Sequence, residues 1–539
     1  ICAFEETDSR AILYVYSFIS GADWADEVAR LDRMSKITKQ DVVEWANKYL
    51  GPESYAIIYK REGKDPDEQK IAAPKITPIV TNRDSQSEFL SEIQTSQVQP
   101  IEPVFVDYKK DMSQFEAQPG IDVLYKKNET NDIFTLIYVF NTGTENDPAL
   151  NLAFNYLSYL GTDKMTAEEI ASEMYDIACS FYMNAGANQS SIQITGLSEN
   201  MGKAMEIVEG LIAGAKPDEA ILENCKADML KSRADAKLNQ SRCFGALQRY
   251  LFYGGDFIRR TTLTDPALQA LTSEQLLAKI GGLMGKQHEV LYYGPQKEAE
   301  VKSALAEHHK VAADLQPLEK KFSTLLPTDA NKVVLAQYDA KQLYYLQFSN
   351  RGEKFDVAAD PEITLYNEYF GGGMNTIVFQ EMREARGLAY TAWATLATPS
   401  NANGDYSYYA FIATQNDKMQ KAVEAFDDII NNMPESEKAF GIAKEALVSR
   451  LRTERTVKDG VLWSYLRARD LGLDAPRDKQ IFEKVQSMTL DDVKAAQQKW
   501  VKGRKYVYGI LGDIQDLDLN YLKTLGPIQT VSQEEIFGY

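Results

Sequence analysis

The stretch ITKQDVVEWANKYLGPESYAIIYK, Ile37 to Lys60, holds a helix start, a helix stop and a strand. Thr38 is a predicted N-cap, and Asp41 three residues on offers the other half of a capping box. Val42, Trp45, Ala46 and Tyr49 follow at helical spacing, and Gly51-Pro52 ends the run. YAIIY, Tyr55 to Tyr59, is β-branched and aromatic and reads as a strand. The unit has the form of a domain ending, although it stands near the front of the chain.

Two later stretches repeat it: LTSEQLLAKIGGLMGKQHEVLYYG from Leu271 to Gly294, and MTLDDVKAAQQKWVKGRKYVYG from Met488 to Gly509. Each has a threonine cap (Thr272, Thr489), a polar residue three later (Gln275, Asp492), a short amphipathic helix and an aromatic strand. Thr272 lies 234 residues after Thr38, and Thr489 lies 217 after Thr272. Solenoid periods are roughly 20–50 residues, so this spacing marks duplicated domains instead. The expected organisation is a C-terminal remnant of an upstream domain at 1–62, a linker at 63–105, and a module at 106–297. A connection at 298–325 and a second module at 326–539 complete it. With Ile1 opening in mid-domain, the chain is expected to be a fragment of a longer protein.

Within each module the strands come in pairs around polar turns, as in GIDVLYKKNETNDIFTLIYVFNTG and NKVVLAQYDAKQLYYLQFSNRG. SIQITGL and YSYYAFIAT add strands, and MGKAMEIVEGLIAGA and MQKAVEAFDDIINNM add amphipathic helices. The fold class read from this is α+β, with duplicated modules of a mixed, mainly antiparallel sheet covered by helices.

The 539 residues carry 78 acidic against 59 basic side chains, a net charge of −19. That disfavours a nucleic-acid partner, whose binding rests on lysine and arginine neutralising phosphates, and no basic cluster with interleaved aromatics occurs. No apolar run approaches the roughly 20 residues of a membrane span. The four cysteines show no metal spacing and are expected as buried thiols.

Candidate chemistry is sparse. The three histidines are His288, His308 and His309. Adjacent residues on a helix point about 100° apart, so His308 and His309 do not share a metal easily. They are expected as a solvated helix end, and His288 as a loop residue. No GxSxG elbow or phosphate loop occurs. GGGMN, Gly371 to Asn375, reads as a joint between two helices. FQEMREARGLAYTAWAT, Phe379 to Thr395, stands out because Arg383 and Tyr390 are seven apart, nearly two helical turns. A guanidinium and a phenol aimed together suit a carbonyl oxygen or a developing oxyanion. A structural arginine paired with Glu381 or Glu384, beside a core tyrosine, is the other reading of the same residues.

GGGMNTIVFQEMREARGLAYT, Gly371 to Thr391, resembles the C-terminal-domain signature of the pitrilysin/insulinase family of zinc metallopeptidases, the enzymes of the inverted HxxEH motif. The repeated modules are similar to that family's mitochondrial-processing-peptidase-like (metallohydrolase-like) domains. In larger members two halves, each of two such domains, close around a peptide-holding chamber. The resemblance covers essentially the whole chain and implies the C-terminal, non-catalytic half of such an enzyme. Aligning on Gly161-Thr162 places Leu152 and Tyr156 where the motif's histidines stand and Asn155 where its glutamate stands. Glu223 and Asp228 remain on the later helix without imidazoles to help them. The resemblance therefore implies no metal on this chain and zinc on the missing N-terminal half. It also implies a role for Arg383 and Tyr390 in contacting peptide backbone and transition state. The implied partners are a peptide substrate and the N-terminal half, as the same polypeptide or a partner subunit. The implied setting is soluble, in a bacterial periplasm or cytoplasm. The alternative within the family is a catalytically inactive structural or assembly subunit.

Overall fold

The computed structural model describes residues 7–60, 63, 87–97 and 99–539. It divides into two compact units, Ile1–Gln97 and Val98–Tyr539. The first unit is helical: Thr7–Ser20, Trp24–Val28, Arg30–Met34, α1 (Lys39–Tyr49) and Glu88–Thr95. The capping box that opens α1 is complete, with Asp41 N donating to Thr38 Oγ1 at 3.2 Å and Thr38 N donating to Asp41 Oδ2 at 2.8 Å. Tyr55–Tyr59, expected as a strand, joins no sheet. A strand exists only as part of a ladder, and the described residues of this unit supply no second one. Most of the expected linker, 64–86 and 98, lies outside the described residues.

The second unit contains two sheets of six strands. The first sheet is β1 (Ser113–Gln118), β2 (Ile121–Lys127), β3 (Ile133–Phe140), β4 (Cys179–Ala185), β5 (Ser190–Leu197) and β6 (His288–Gly294). Its spatial order is β1-β2-β6-β3-β5-β4. The second is β7 (Lys332–Gln337), β8 (Gln342–Lys354), β9 (Thr391–Ala397), β10 (Asp405–Gln415), β11 (Val507–Gly512) and β12 (Ile528–Val531), in the order β12-β7-β11-β8-β10-β9. The architecture is α+β with mixed sheets. The repeated helix–strand unit explains the mixture. β6 returns late in the chain to lie parallel to β2 and antiparallel to β3, and β11 lies likewise between β7 and β8. The strand of each repeated helix–strand unit is thus a central strand of its sheet.

Helices used below are α2 (Leu150–Leu157), α3 (Met201–Gly214), α4 (Glu219–Lys237), α5 (Gln240–Thr261), α6 (Ser273–Leu283), α7 (Glu298–His308), α8 (Met419–Asn431), α9 (Gly460–Asp470) and α10 (Leu490–Ala496). α6 and α10 both open with capping boxes, at Thr272/Gln275 and Thr489/Asp492. Thr272→Ala removes the acceptor for one otherwise orphaned N–H and should lower stability by about 1 kcal/mol, read as a fall in the urea midpoint. α7, inside the segment expected as a connection, buries Val301 and Leu305 in the first module's core. Its apolar positions four apart share one helix face, which seats it on the first sheet.

One face of each sheet carries its own module's helices, with Val123, Leu136 and Tyr138 in the first core and Val333, Leu335 and Tyr345 in the second. The opposite faces are covered by exchange. α5, from the first module, lays Phe244, Leu247 and Leu251 on Val334, Leu346 and Phe348 of the second sheet. α9, from the second module, lays Val461, Leu462 and Leu466 on Leu124, Ile137 and Leu291 of the first. Gly509 in β11 makes room for this. A Cβ there would stand 2.2 Å from Leu251 Cδ1. α5 breaks at Gly254, whose φ of 82° is open to glycine at little cost.

Candidate functional site

Arg383 lies in a six-residue π-helix, Gln380–Ala385, that follows the helical turn Ile377–Phe379. Such wide turns are rare and cluster at functional sites. Met382 is fully buried and anchors the turn, which leaves Arg383 pointing outward. Gly387, at φ +57°, then reverses the chain. Leu388 N donates to Met382 O at 2.9 Å, and Thr414 Oγ1 donates to Leu388 O at 2.6 Å, pinning the reversal. The helix thus ends well before Tyr390, and the turn brings the two side chains together instead.

The arginine lies flat between two rings. Its guanidinium is 4.6 Å from the Tyr390 ring centroid and 4.9 Å from that of Phe379. Nη1 donates to Tyr390 O at 3.2 Å, and Nε is 3.5 Å from Glu384 Oε1. Tyr390 is 74% exposed, so it is no core tyrosine. The arginine that serves structure is Arg386, paired with Asp428 at 2.9 Å and Glu381 at 3.4 Å. The result is a phenol in solvent beside a guanidinium held by stacking, two donors on one rigid turn. Donors of this kind bind a carbonyl oxygen or an oxyanion without reorganising.

The positions aligned with a zinc motif behave differently. Leu152 and Tyr156 of α2 are buried in the first core. The Tyr156 hydroxyl lies 2.8 Å from Ser273 Oγ and accepts from Asp218 N at 2.7 Å, tying α2 to α4 and α6. Asn155 alone of the three lines a cavity of about 650 Å³, together with Asn151 one turn earlier and Asp228 from α4. The helix face that looks outward is therefore 151 and 155. The 152/156 face looks into the core, as its leucine and aromatic character dictates. Glu223 is paired with Lys226 at 2.8 Å. These side chains do not fit zinc, which needs imidazoles, thiolates or carboxylates converging on one point. Among the described residues no three such groups come together.

Two of the three histidines overturn their expected roles, whereas His308 ends α7 half-buried. His288 is the first residue of β6 and His309 caps α7; both are buried, not solvated. His309 Nδ1 is 2.5 Å from Glu209 Oε1 of α3, and its Nε2 is 2.8 Å from His288 Nε2. His288 Nδ1 faces Lys286 O at 2.8 Å. Since that carbonyl only accepts, His288 Nδ1 carries a proton and its Nε2 receives one from His309. Burial and the facing His309 push His288 down from near 6.5 to about 4. A second proton on His288 would put N–H against N–H. Sequence reading missed this chain because its members stand 21 and 100 residues apart. The one local hint was an acid inside the apolar face of MGKAMEIVEGLIAGA.

Residues 287–447, from β6 through the Arg383 turn, match the model of the family described as Peptidase M16 inactive domain. That stretch is similar to a peptidase M16 inactive domain. An uncharacterized zinc protease of Rickettsia bellii is 23% identical over 312 residues, 56% of this chain and 70% of that protein. The crystal structure of a peptidase M16 inactive domain from Pseudomonas fluorescens superposes at a TM-score of 0.59, with 18% identity, over 75% of this chain and 98% of that structure. The periplasmic protease PqqL from Escherichia coli superposes at 0.57, with 12% identity, over 90% of the chain but 52% of PqqL. The chain thus spans about half the length of PqqL. Among the described residues no helix is long and apolar enough to cross a membrane.

Proposed function

We propose that this chain is the non-catalytic half of a zinc endopeptidase that degrades peptides in a closed chamber. In this reading zinc and the general base belong to an upstream half, and this chain supplies chamber wall, peptide contacts and the Arg383–Tyr390 pair. The observation that carries it is that pair, exposed and locked on a π-turn inside the segment matching the inactive-domain family. Arg383 would bind a peptide carbonyl, and the Tyr390 hydroxyl would donate to the oxyanion as it forms.

The domain plan belongs to the same proposal, with 1–62 as the end of an upstream domain and 106–297 and 326–539 as the two domains of this half. Exposure supports it. The residues four and eleven after the capping threonine are buried in both complete modules, Leu276 and Leu283 in one, Val493 and Trp500 in the other. Their counterparts Val42 and Tyr49 are exposed, a face that a further module of the same kind would cover.

The test is peptide turnover in the parent enzyme, or in this chain mixed with its upstream half. Arg383→Ala or Tyr390→Phe should each reduce kcat by about 10²-fold, the loss typical of one oxyanion donor, with zinc content unchanged. Full turnover in both variants would remove the assigned role. A zinc-free upstream half, with no turnover in any mixture, would favour the assembly-subunit reading.

A further inference from the structure

Asn151 and Asn155 on the outward face of α2 line a cavity that core side chains do not fill. At about 650 Å³ it is the size of a small-ligand pocket. Three arginines reach it: Arg233 from α4, and Arg242 and Arg249 from α5. Arg233 is committed, paired with Asp265 and donating to Leu263 O at 2.6 Å. Arg242 and Arg249 form no ion pair among the described residues. Arg249 donates to Thr261 Oγ1 at 2.7 Å, and burial holds its guanidinium below its ordinary range, with Glu145 opposing that from outside the cavity. Against them stands one lining carboxylate, Asp228. Thr262 also lines the cavity, and its hydroxyl is buried without a partner. The cavity therefore offers two guanidiniums free of ion pairs, an idle hydroxyl and two exposed amides. Met229, Ile536 and Phe537 give it an apolar wall, beside the polar Thr144, Ser232 and Tyr539.

We propose that this cavity binds a carboxylate carried on an apolar body, and that the source is the C-terminal carboxylate of a bound peptide. A carboxylate brings only one negative charge beside Asp228, and Glu145 near Arg249 further disfavours a phosphate dianion. Arg242 and Arg249 bind the carboxylate oxygens, Thr262 and the Asn151 and Asn155 amides complete its hydrogen bonds, and the terminal side chain packs on Phe537 and Met229. A charge-assisted guanidinium–carboxylate contact is the strongest recognition available to such a cavity. The peptide source rests on the proposed peptidase reading, but the carboxylate chemistry does not. Nothing in it depends on Arg383 or Tyr390.

The experiment is calorimetric titration of the full chain with acetyl-Ala-Ala-Ala-Ala-Phe as free acid, with the same peptide as its C-terminal amide, and with sodium acetate. The free acid should bind at least about tenfold more tightly than the amide, the share of one charged hydrogen bond. Arg242→Gln, at an exposed position that leaves the fold intact, should erase that ratio, and Arg249→Gln should do the same. Acetate that competes with the acid peptide and is lost in Arg242→Gln also supports the site. Equal binding of acid and amide overturns it, as does an acid preference that survives both substitutions. The turnover of Arg383 and Tyr390 variants is a separate readout, so either reading can fail alone.

Discussion

Replacing Leu462 by alanine will loosen the first sheet, although Leu462 lies in the chain segment of the second. Its side chain is fully buried on α9, packed with Leu124, Ile137, Val139 and Leu291 on the outer face of the first sheet. Truncating a buried leucine costs about 2–5 kcal/mol, the transfer term plus the cavity left behind. Neighbouring polar contacts hold α9 in place, so the cavity will not collapse easily. Arg469 pairs bidentately with Glu289 of β6, at 2.5 and 2.8 Å, and the Tyr108 hydroxyl meets Ser464 Oγ at 2.8 Å. Hydrogen exchange should therefore accelerate in β2, β3 and β6 as well as in α9. Leu247→Ala on α5 is the mirror experiment, loosening β7, β8 and β11. If Leu462→Ala raised exchange only within 437–485, the exchanged helices would be ornaments on separately stable modules. The expected outcome makes them one cooperative body, as a rigid wall around a bound peptide would require.

Legibility in the sequence followed the range of the interactions. The three threonine caps were readable because a capping box is complete within four residues, and all three formed. Strands β2, β3, β7, β8, β5 and β10 were readable from their apolar or aromatic runs. Edge strands β1 and β4 were not, because SQFEAQ and CSFYMNA bury only alternate residues weakly. The exchange of α5 and α9 left no local trace, since an amphipathic helix does not name the sheet it will cover. Arg383 and Tyr390 were readable as a pair, but the geometry joining them comes from Gly387 and not from continued helix. Glu209 has a counterpart that shows how the buried chain might have been found. It is the ninth residue of α3, and Asp427 is the ninth of α8, where burial raises the Asp427 carboxyl's affinity for its proton. A duplicated acid on the inner face of a duplicated helix is a signal that only the internal repeat makes visible.

Acid should cost this protein about 3 kcal/mol between pH 7 and pH 4 through His288 alone. The unfolded chain holds this imidazole near its ordinary 6.5, and the folded protein holds it at about 4. The unfolded state therefore binds the proton first as pH falls. Stability is full above the unfolded value and is lost progressively down to the folded one, with 1.36 kcal/mol for each pH unit of difference. The direction is secured by geometry as well as by burial. His288 sits with its Nε2 2.8 Å from that of His309, and the rings of Tyr138 and Phe140 close the remaining sides. Glu209, the one carboxylate in the chain, is bonded to His309 and leaves no acceptor for a charged His288. The measurement is the urea unfolding free energy at half-unit steps from pH 4 to 8, for the wild type and His288→Gln. Other carboxylates will lower both curves at the acid end, so the informative quantity is their difference. The variant should be less stable at pH 7.5 and should lose less on acidification, the two curves converging near pH 4. Parallel curves would mean that His288 titrates alike in both states, and the buried chain would then be packing without a pH response.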